Sequence, residues 1–210
     1  MTTYGQFCPV AKAMELLDER WTLLVVRELL MGSRHFNDVR RGVPRMSPAL
    51  LSKRLHRLAQ AGVVERRHHG GRVVYLLTEA GEELRPVVEA LGRWGARWIP
   101  ELGDADLDPH LLMWDLRRSL DLDAMPDGRT VVRFQFLEVP REAARWWWLV
   151  VDQEGTDVCD TDPGHPVTVT VVTPLRTLVD LWRGEASWAE ATARGLHIEG
   201  PEWARRALPR

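Results

Sequence analysis

One stretch of this chain, residues 47–78, leaves few folds open. It reads SPALLSKRLHRLAQAGVVERRHHGGRVVYLLT. Ser47 followed by Pro48 reads as a helix start, because the hydroxyl can accept from a free backbone N–H and proline has none to lose. Leu51, Leu55 and Leu58 recur at i, i+4 and i+7 and form one apolar stripe. At about 100° per residue, Lys53 falls nearly opposite that stripe, with Ala49, His56 and Arg57 beside it and Ser52 and Arg54 flanking. Ala61-Gly62 ends the helix. Two strand-like runs, 63–68 and 72–78, then flank Gly70-Gly71, a pair whose tolerance of positive φ suits a tight hairpin. A helix that feeds directly into an arginine-bearing hairpin has the outline of a winged helix-turn-helix. In such a unit the helix fits the major groove and the hairpin reaches the flanking backbone.

Charge supports a nucleic-acid partner only when it is read by region. The whole chain of 210 residues has a formal net charge of −2. Residues 1–98 carry 16 Lys and Arg against 10 Asp and Glu, whereas residues 99–210 carry 12 against 20. Between Arg34 and Arg72 there are 10 basic residues and two acids, Asp38 and Glu65. The pattern predicts a basic DNA-binding half joined to an acidic partner domain. The N-terminus lacks a charged start followed by an apolar run, and no stretch has the 18 or so apolar residues of a membrane span. The expectation is a soluble, cytoplasmic protein without a membrane partner. Cys8 and Cys159 do not suggest a disulfide framework.

Upstream of residue 47 the pattern predicts three helices. Residues 8–18 form a short amphipathic one with Val10, Ala13, Met14 and Leu17 on one side, and residues 21–30 form an apolar central helix ended by Gly32. The third spans residues 36–41. After the hairpin, Thr78 can cap a longer helix in which Pro86 marks a kink or the effective start. Along it Leu84, Val87, Val88, Leu91, Trp94 and Trp98 sit near heptad spacing, and Leu84, Val88, Leu91, Trp94 and Trp98 are the candidate dimerisation residues. Packing against its own domain is the alternative use of that stripe. Residues 1–100 are thus expected to be the DNA-binding and dimerisation domain.

Residues 101–108 read as a linker. Asp108 with Pro109 then opens a helix through Leu120. The period next shifts to two, at residues 132–136, 146–151 and 167–171, which predicts a mainly antiparallel sheet. Helices return at residues 173–183 and at 187–194, the latter opened by a Ser187–Glu190 capping box, and residues after Pro201 can form a last short one. The fold class expected is α+β: a winged helix-turn-helix followed by an α+β domain over residues 109–210.

With these segments in order, residues 7–98 resemble the HxlR family of winged-helix transcriptional regulators. The resemblance rests on Cys8-Pro9, ERWTLLVVRELLMG, RHFNDVRRGVPRMSPALLSKRL, AGVVERR and YLLTEAG. It implies a homodimer that binds operator DNA, and it places Cys8 where several members carry a cysteine used in redox or electrophile sensing. The second half is similar to the sterol carrier protein-like fold, through the tryptophan-rich run at residues 145–151, VTVTVVTPLRTLVDLWRGEASWAEA and the closing HIEGPEWARRALPR. That resemblance implies a cavity for an apolar small molecule.

Named residues carry the expected chemistry. Arg40, Arg41 and Arg45, ahead of the recognition helix, suit phosphate contacts. Ser47, Ala49, Ser52, Lys53, Arg54 and Arg57 belong to the helix that meets the bases or their phosphates. Arg66, Arg67, His68, His69 and Arg72 lie on the wing. Cys8 at a helix N-cap would face the positive end of the helix dipole, which favours a reactive thiolate; a small capping or packing residue is the plainer reading. Phe134, Phe136, Trp146 and Trp148 are candidate ligand-binding residues, with core packing as the alternative. Neither His68-His69 nor Cys159, Asp160, Asp162 and His165 has the geometry of a metal site, and no cofactor motif or catalytic constellation appears. The reading is a dimeric DNA-binding regulator, a repressor, and not an enzyme. The competing reading is a ligand carrier whose winged helix serves protein contacts.

Overall fold

The computed structural model describes residues 3–99, 101–139, 144–153 and 155–207, except for the side chains of residues 205 and 206. The chain divides into two compact units, Met1–Glu101 and Leu102–Arg210. Residue 100, where the sequence sets the end of the first domain, lies outside the described residues.

In the first unit, α1 spans Pro9–Leu17, α2 Thr22–Leu30, α3 Phe36–Gly42 and α4 Pro48–Gln60. Leu51, Leu55 and Leu58 of α4 are buried with Val25, Val26 and Leu29 of α2 and Val39 of α3. Full burial of one such side chain stabilises by roughly 1.5–3 kcal/mol, so this stripe is what fixes the angle of α4. Ser47 caps α4 as its position predicts, its Oγ accepting from Leu50 N at 3.3 Å. The stripe expected on α1 is corrected: Val10, Ala13 and Met14 are exposed, and Leu16 is the residue that packs against the core. A helix of nine residues can turn a different side inward at little cost when it lies at the edge of a core.

The hairpin follows, with β1 at Val64–His69 and β2 at Arg72–Leu77. Val64 pairs with Leu77 and His69 with Arg72, leaving Gly70 (φ 57°) and Gly71 (φ 76°) as a two-residue turn. Both central residues have positive φ, as a type I′ hairpin requires. Tyr75 N donates to Arg34 O at 2.8 Å, which fastens the hairpin to the loop before α3. Thr78 caps only one helical turn, α5 at Glu79–Glu82, and α6 begins afresh at Arg85–Trp98 with Pro86 in its first turn. The proline therefore marks a start rather than a kink.

In the second unit, residues 102–107 do not dangle as a linker. Arg176 Nη1 donates to Leu102 O at 3.2 Å and its Nη2 to Asp104 at 2.8 Å, while Leu107 packs against the core. Next come α7 (Pro109–Ser119), β3 (Thr130–Leu137), β4 (Trp146–Asp152), β5 (Gly155–Cys159) and β6 (Val169–Pro174). They are followed by α8 (Leu175–Trp182), α9 (Trp188–Ala193), β7 (His197–Glu199) and α10 (Ala204–Ala207). Asp108 caps α7, accepting from His110 N and Leu111 N. The described strands order as β5-β4-β3-β6-β7, with β3 and β6 parallel and every other pair antiparallel. The sheet is thus mainly antiparallel. Leu112, Met113 and Leu116 of α7 and Leu178 and Leu181 of α8 bury one sheet face with Phe134, Trp147 and Val171.

Strand register corrects the candidate ligand set. Phe134 lies opposite Trp147, whereas Gln135 lies opposite Trp146 and Arg133 opposite Trp148. Side chains alternate across a strand, so Phe134 and Phe136 face the helices while Trp146 and Trp148 face the other way. The four cannot line one cavity. The helix-side cleft is instead lined by Leu116, Phe134, Val171, Leu178, Trp182 and Trp188 among others, and its enclosed space is small, about 10 Å³.

Candidate nucleic-acid interface

The turn between α3 and α4 is shaped by Val43 and Met46, both buried, which hold the intervening backbone close to the core and leave Arg45 outside. Arg40, Arg41 and Arg45 are all exposed at this end of the unit. From Ser47 onward, α4 presents Ala49, Ser52, Lys53 and His56 to solvent. These lie at i, i+3, i+4 and i+7, one continuous row opposite the buried leucines. Lys53 and His56 have no hydrogen-bond or ion-pair partner among the described residues, so the row is open to a base edge or a phosphate. The expected contact set omits His56, although its place beside Lys53 on the helical wheel was visible.

Two of the expected contacts serve another purpose. Arg54 is 9% exposed. It pairs with Glu19, and its Nε donates to Arg20 O at 3.2 Å. Arg54 is therefore corrected from a DNA contact to an internal clamp between α4 and the segment joining α1 to α2. Arg57 is half-buried; its Nη2 donates to Glu15 O at 3.0 Å and its Nη1 lies 3.5 Å from Glu19. That guanidinium is engaged at the end of α1, which caps an otherwise unsatisfied helix carbonyl.

The wing carries Arg66, Arg67, His68, His69 and Arg72, all exposed. Register puts Arg66 and His68 on one face of the hairpin and Arg67 and His69 on the other. Arg67 Nη2 donates to Glu65 at 2.6 Å. That hydrogen bond holds the Glu65 carboxyl below its ordinary range and raises Arg67, so both stay charged and Arg67 is already matched by a carboxylate, whereas Arg66 has no ion-pair partner among the described residues.

Two further features belong to the first unit. Cys8 is the N-cap of α1, half-buried, its carbonyl accepting from Lys12 N at 3.0 Å and its sulfur making no cap hydrogen bond. Leu84, the N-cap of α6, and Val88 on that helix are partly buried against their own core, which is the packing alternative for these two expected dimerisation residues. The outward stripe is Val87, Leu91, Trp94 and Trp98, from 49% to 62% exposed.

Three helices, a recognition helix and a two-stranded wing define a winged helix-turn-helix unit, the class of DNA-binding module that reads the major groove with one helix. The chain belongs to the HxlR-like helix-turn-helix family, whose model matches residues 16–102. It is 36% identical over 99 residues to the uncharacterized HTH-type transcriptional regulator YvaP of Bacillus subtilis, an alignment that spans 45% of this chain and 92% of YvaP. It is 33% identical over 101 residues to the HTH-type transcriptional regulator YodB of the same organism, spanning 46% of this chain and 89% of YodB. These likenesses concern the first unit.

Proposed function

We propose that this protein is a sequence-specific DNA-binding transcriptional regulator, a repressor, acting as a homodimer. The observation that carries the reading is the solvent-facing row Ala49, Ser52, Lys53 and His56 on α4, set in a unit whose wing exposes five basic or histidine side chains. Membership in a family of helix-turn-helix regulators supports it. The row reads bases, and Arg40, Arg41, Arg45, Arg66 and Arg72 hold phosphates. The exposed stripe on α6 is the dimer seam, because two tryptophans more than half exposed on one helix form the kind of apolar patch that soluble monomers rarely leave open. A two-fold dimer then reads half-sites about one turn apart, on the order of 34 Å.

The second unit acts as the sensing half in this reading. Its sterol carrier protein-like assignment is supported by helices packed on one sheet face and a small apolar cleft lined by Leu116, Phe134, Leu178 and Trp188, whose enclosed space of about 10 Å³ would have to widen to take an apolar small molecule. Thiol oxidation at Cys8 is a second input, supported by a sulfur left uncommitted at a helix N-terminus.

The test is a gel-shift series with fragments selected from the host genome, comparing the parent protein with Lys53→Ala and His56→Ala. Loss of binding in folded variants supports the reading. Unchanged binding in both removes the row as the reading surface, and no duplex binding at low salt favours the carrier reading. Repeating the selection with oxidant, on the parent and on Cys8→Ser, tests the thiol input.

A further inference from the structure

The outward surface of α4 has a pole and two sides. At about 100° per residue, Lys53 lies about 170° from the mean direction of the buried leucines Leu51, Leu55 and Leu58. Ala49, one turn earlier, and His56, one turn later, stand within about 50° of that pole, and Ser52 stands about 90° to one side. All four are exposed. Arg57, on the other side, is already engaged by Glu15 O at 3.0 Å. A helix seated in the major groove turns its pole to the base edges and its sides to the phosphate walls. Lys53 is therefore the base-facing residue of the row, and Ser52 faces a wall.

The chemistry at the pole is as selective as its direction. From Pro48 to Arg57, α4 holds no Asn, Gln, Asp or Glu. The side chains that pair with adenine through N6 and N7, or that accept from the cytosine amino group, are thus missing from the half of the helix that meets base edges. Gln60 shares the direction of the pole, but it is the last residue of α4, about 10 Å further along the axis, on the end that leaves the groove. Lys53 offers three N–H donors and no acceptor. It has no hydrogen-bond or ion-pair partner among the described residues, so its ammonium is open to DNA. Guanine is the base that presents two acceptors, N7 and O6, and no amino group in the major groove. Ala49 brings only an apolar methyl, the match for the thymine C5-methyl.

Resting on the DNA-binding reading above, we propose that each half-site carries a guanine whose N7 and O6 accept from Lys53, with a thymine one or two base pairs away whose methyl meets Ala49. The rise of about 6 Å between the two residues along α4, against about 3.4 Å between base pairs, sets that interval. Adenine and cytosine are refused at the Lys53 position, because each presents an amino group to an ammonium that can only donate.

The experiment takes the full chain and a pool of duplexes randomised over two turns, about 20 base pairs, and reads the motif enriched by the parent and by Lys53 variants. The parent should enrich a guanine in each half-site that Lys53→Ala no longer selects, the other positions being kept. Discrimination against adenine at that position should be about five- to a hundredfold in the parent and close to none in the variant. Lys53→Gln, which brings an acceptor as well as a donor, should move the choice to adenine. On the enriched duplex, 7-deazaguanine pairs normally but lacks N7; it should weaken the parent about fivefold or more and leave Lys53→Ala unmoved. Uracil in place of the neighbouring thymine removes only the methyl and should weaken binding about two- to fourfold. No enriched motif at all removes the DNA-binding reading and this proposal with it. A guanine still selected by Lys53→Ala, a loss in that variant that is equal on every duplex, or indifference to 7-deazaguanine overturns the proposal alone and leaves the reading standing. Indifference to uracil overturns the thymine assignment.

Discussion

Arg54 and Glu19 form an ion pair at the root of the recognition helix, with the arginine nearly sealed from water. Arg54 sits within about 40° of Leu58 on the helical wheel, so it is drawn under the helix with the leucines. Its charge is met by Glu19 and by the Arg20 carbonyl. The basic character of α4 therefore serves two ends: Arg54 and Arg57 hold the helix, and Lys53 faces outward. Arg54→Ala should lower unfolding free energy by about 1–3 kcal/mol, since it strands Glu19 and the Arg20 carbonyl. Lys53→Ala, at an open surface, should stay within about 0.5 kcal/mol of the parent. Urea unfolding checks both, and equal effects would contradict the division of roles.

A second buried charge fastens α2 to α3. Glu28 is fully buried, with Arg27 Nη2 donating to it at 2.8 Å and Ser33 Oγ at 3.3 Å. A Cβ placed on Gly42 would fall within the Glu28 carboxylate. Gly42→Ala should therefore cost at least about 2 kcal/mol, through overpacking or displacement of the carboxylate. Adding Glu28→Ala should make the two effects strongly non-additive in a double-mutant cycle, and independent effects would show that the contact does not matter.

Wing and helix should separate in their response to salt. Arg66→Ala removes a proposed phosphate contact, so affinity should fall by a similar factor on every sequence, and the salt slope should become shallower by about 1. His56→Ala should instead relax preference at one base position with the slope little changed. Binding measured over a salt series on matched and mismatched duplexes distinguishes the two.

The outward stripe on α6 predicts an association that can be broken without unfolding. Trp94→Glu with Leu91→Glu replaces two exposed side chains, so each unit should keep its helicity. Sedimentation should show the parent as a dimer and the variant as a monomer. A monomeric parent at working concentration would place the stripe outside any self-association.

At α9, the Ser187 backbone N–H, at 2.7 Å, and the Ser187 hydroxyl hold the Glu190 carboxyl below its ordinary range. A folded value below the unfolded one means that the contribution is present above the ordinary glutamate range and is lost as pH falls through the depressed value. The group is open to solvent, so the expected effect is local: the Ser187 amide resonance should report fraying of α9 on acidification, and Glu190→Gln should remove that transition. An unchanged amide through the acid range in the parent would refute it.

Much of the first unit was legible in its sequence. The Ser47 cap, the leucine stripe and the Gly70-Gly71 turn are local signals, and each appears where the pattern places it. In the second unit the Asp108 cap and the Ser187–Glu190 capping box are local in the same sense. β5 and β7 were not legible: β7 has three residues, too few for a period, and each exists because a neighbouring strand offers an edge.

By itself, then, the order of residues determined which segments coil or extend, which side of α4 is apolar, and that a basic hairpin follows it. Those properties depend on neighbours within a turn or two of helix or strand. Packing between distant segments decided the rest. It drew Arg54 under α4 to meet Glu19, turned Leu84 and Val88 inward while leaving Trp94 and Trp98 outside, and set Phe134 against Trp147 so that Trp146 and Trp148 face away. A charge finds its partner, and a strand its register, only through contacts that a one-dimensional period cannot encode.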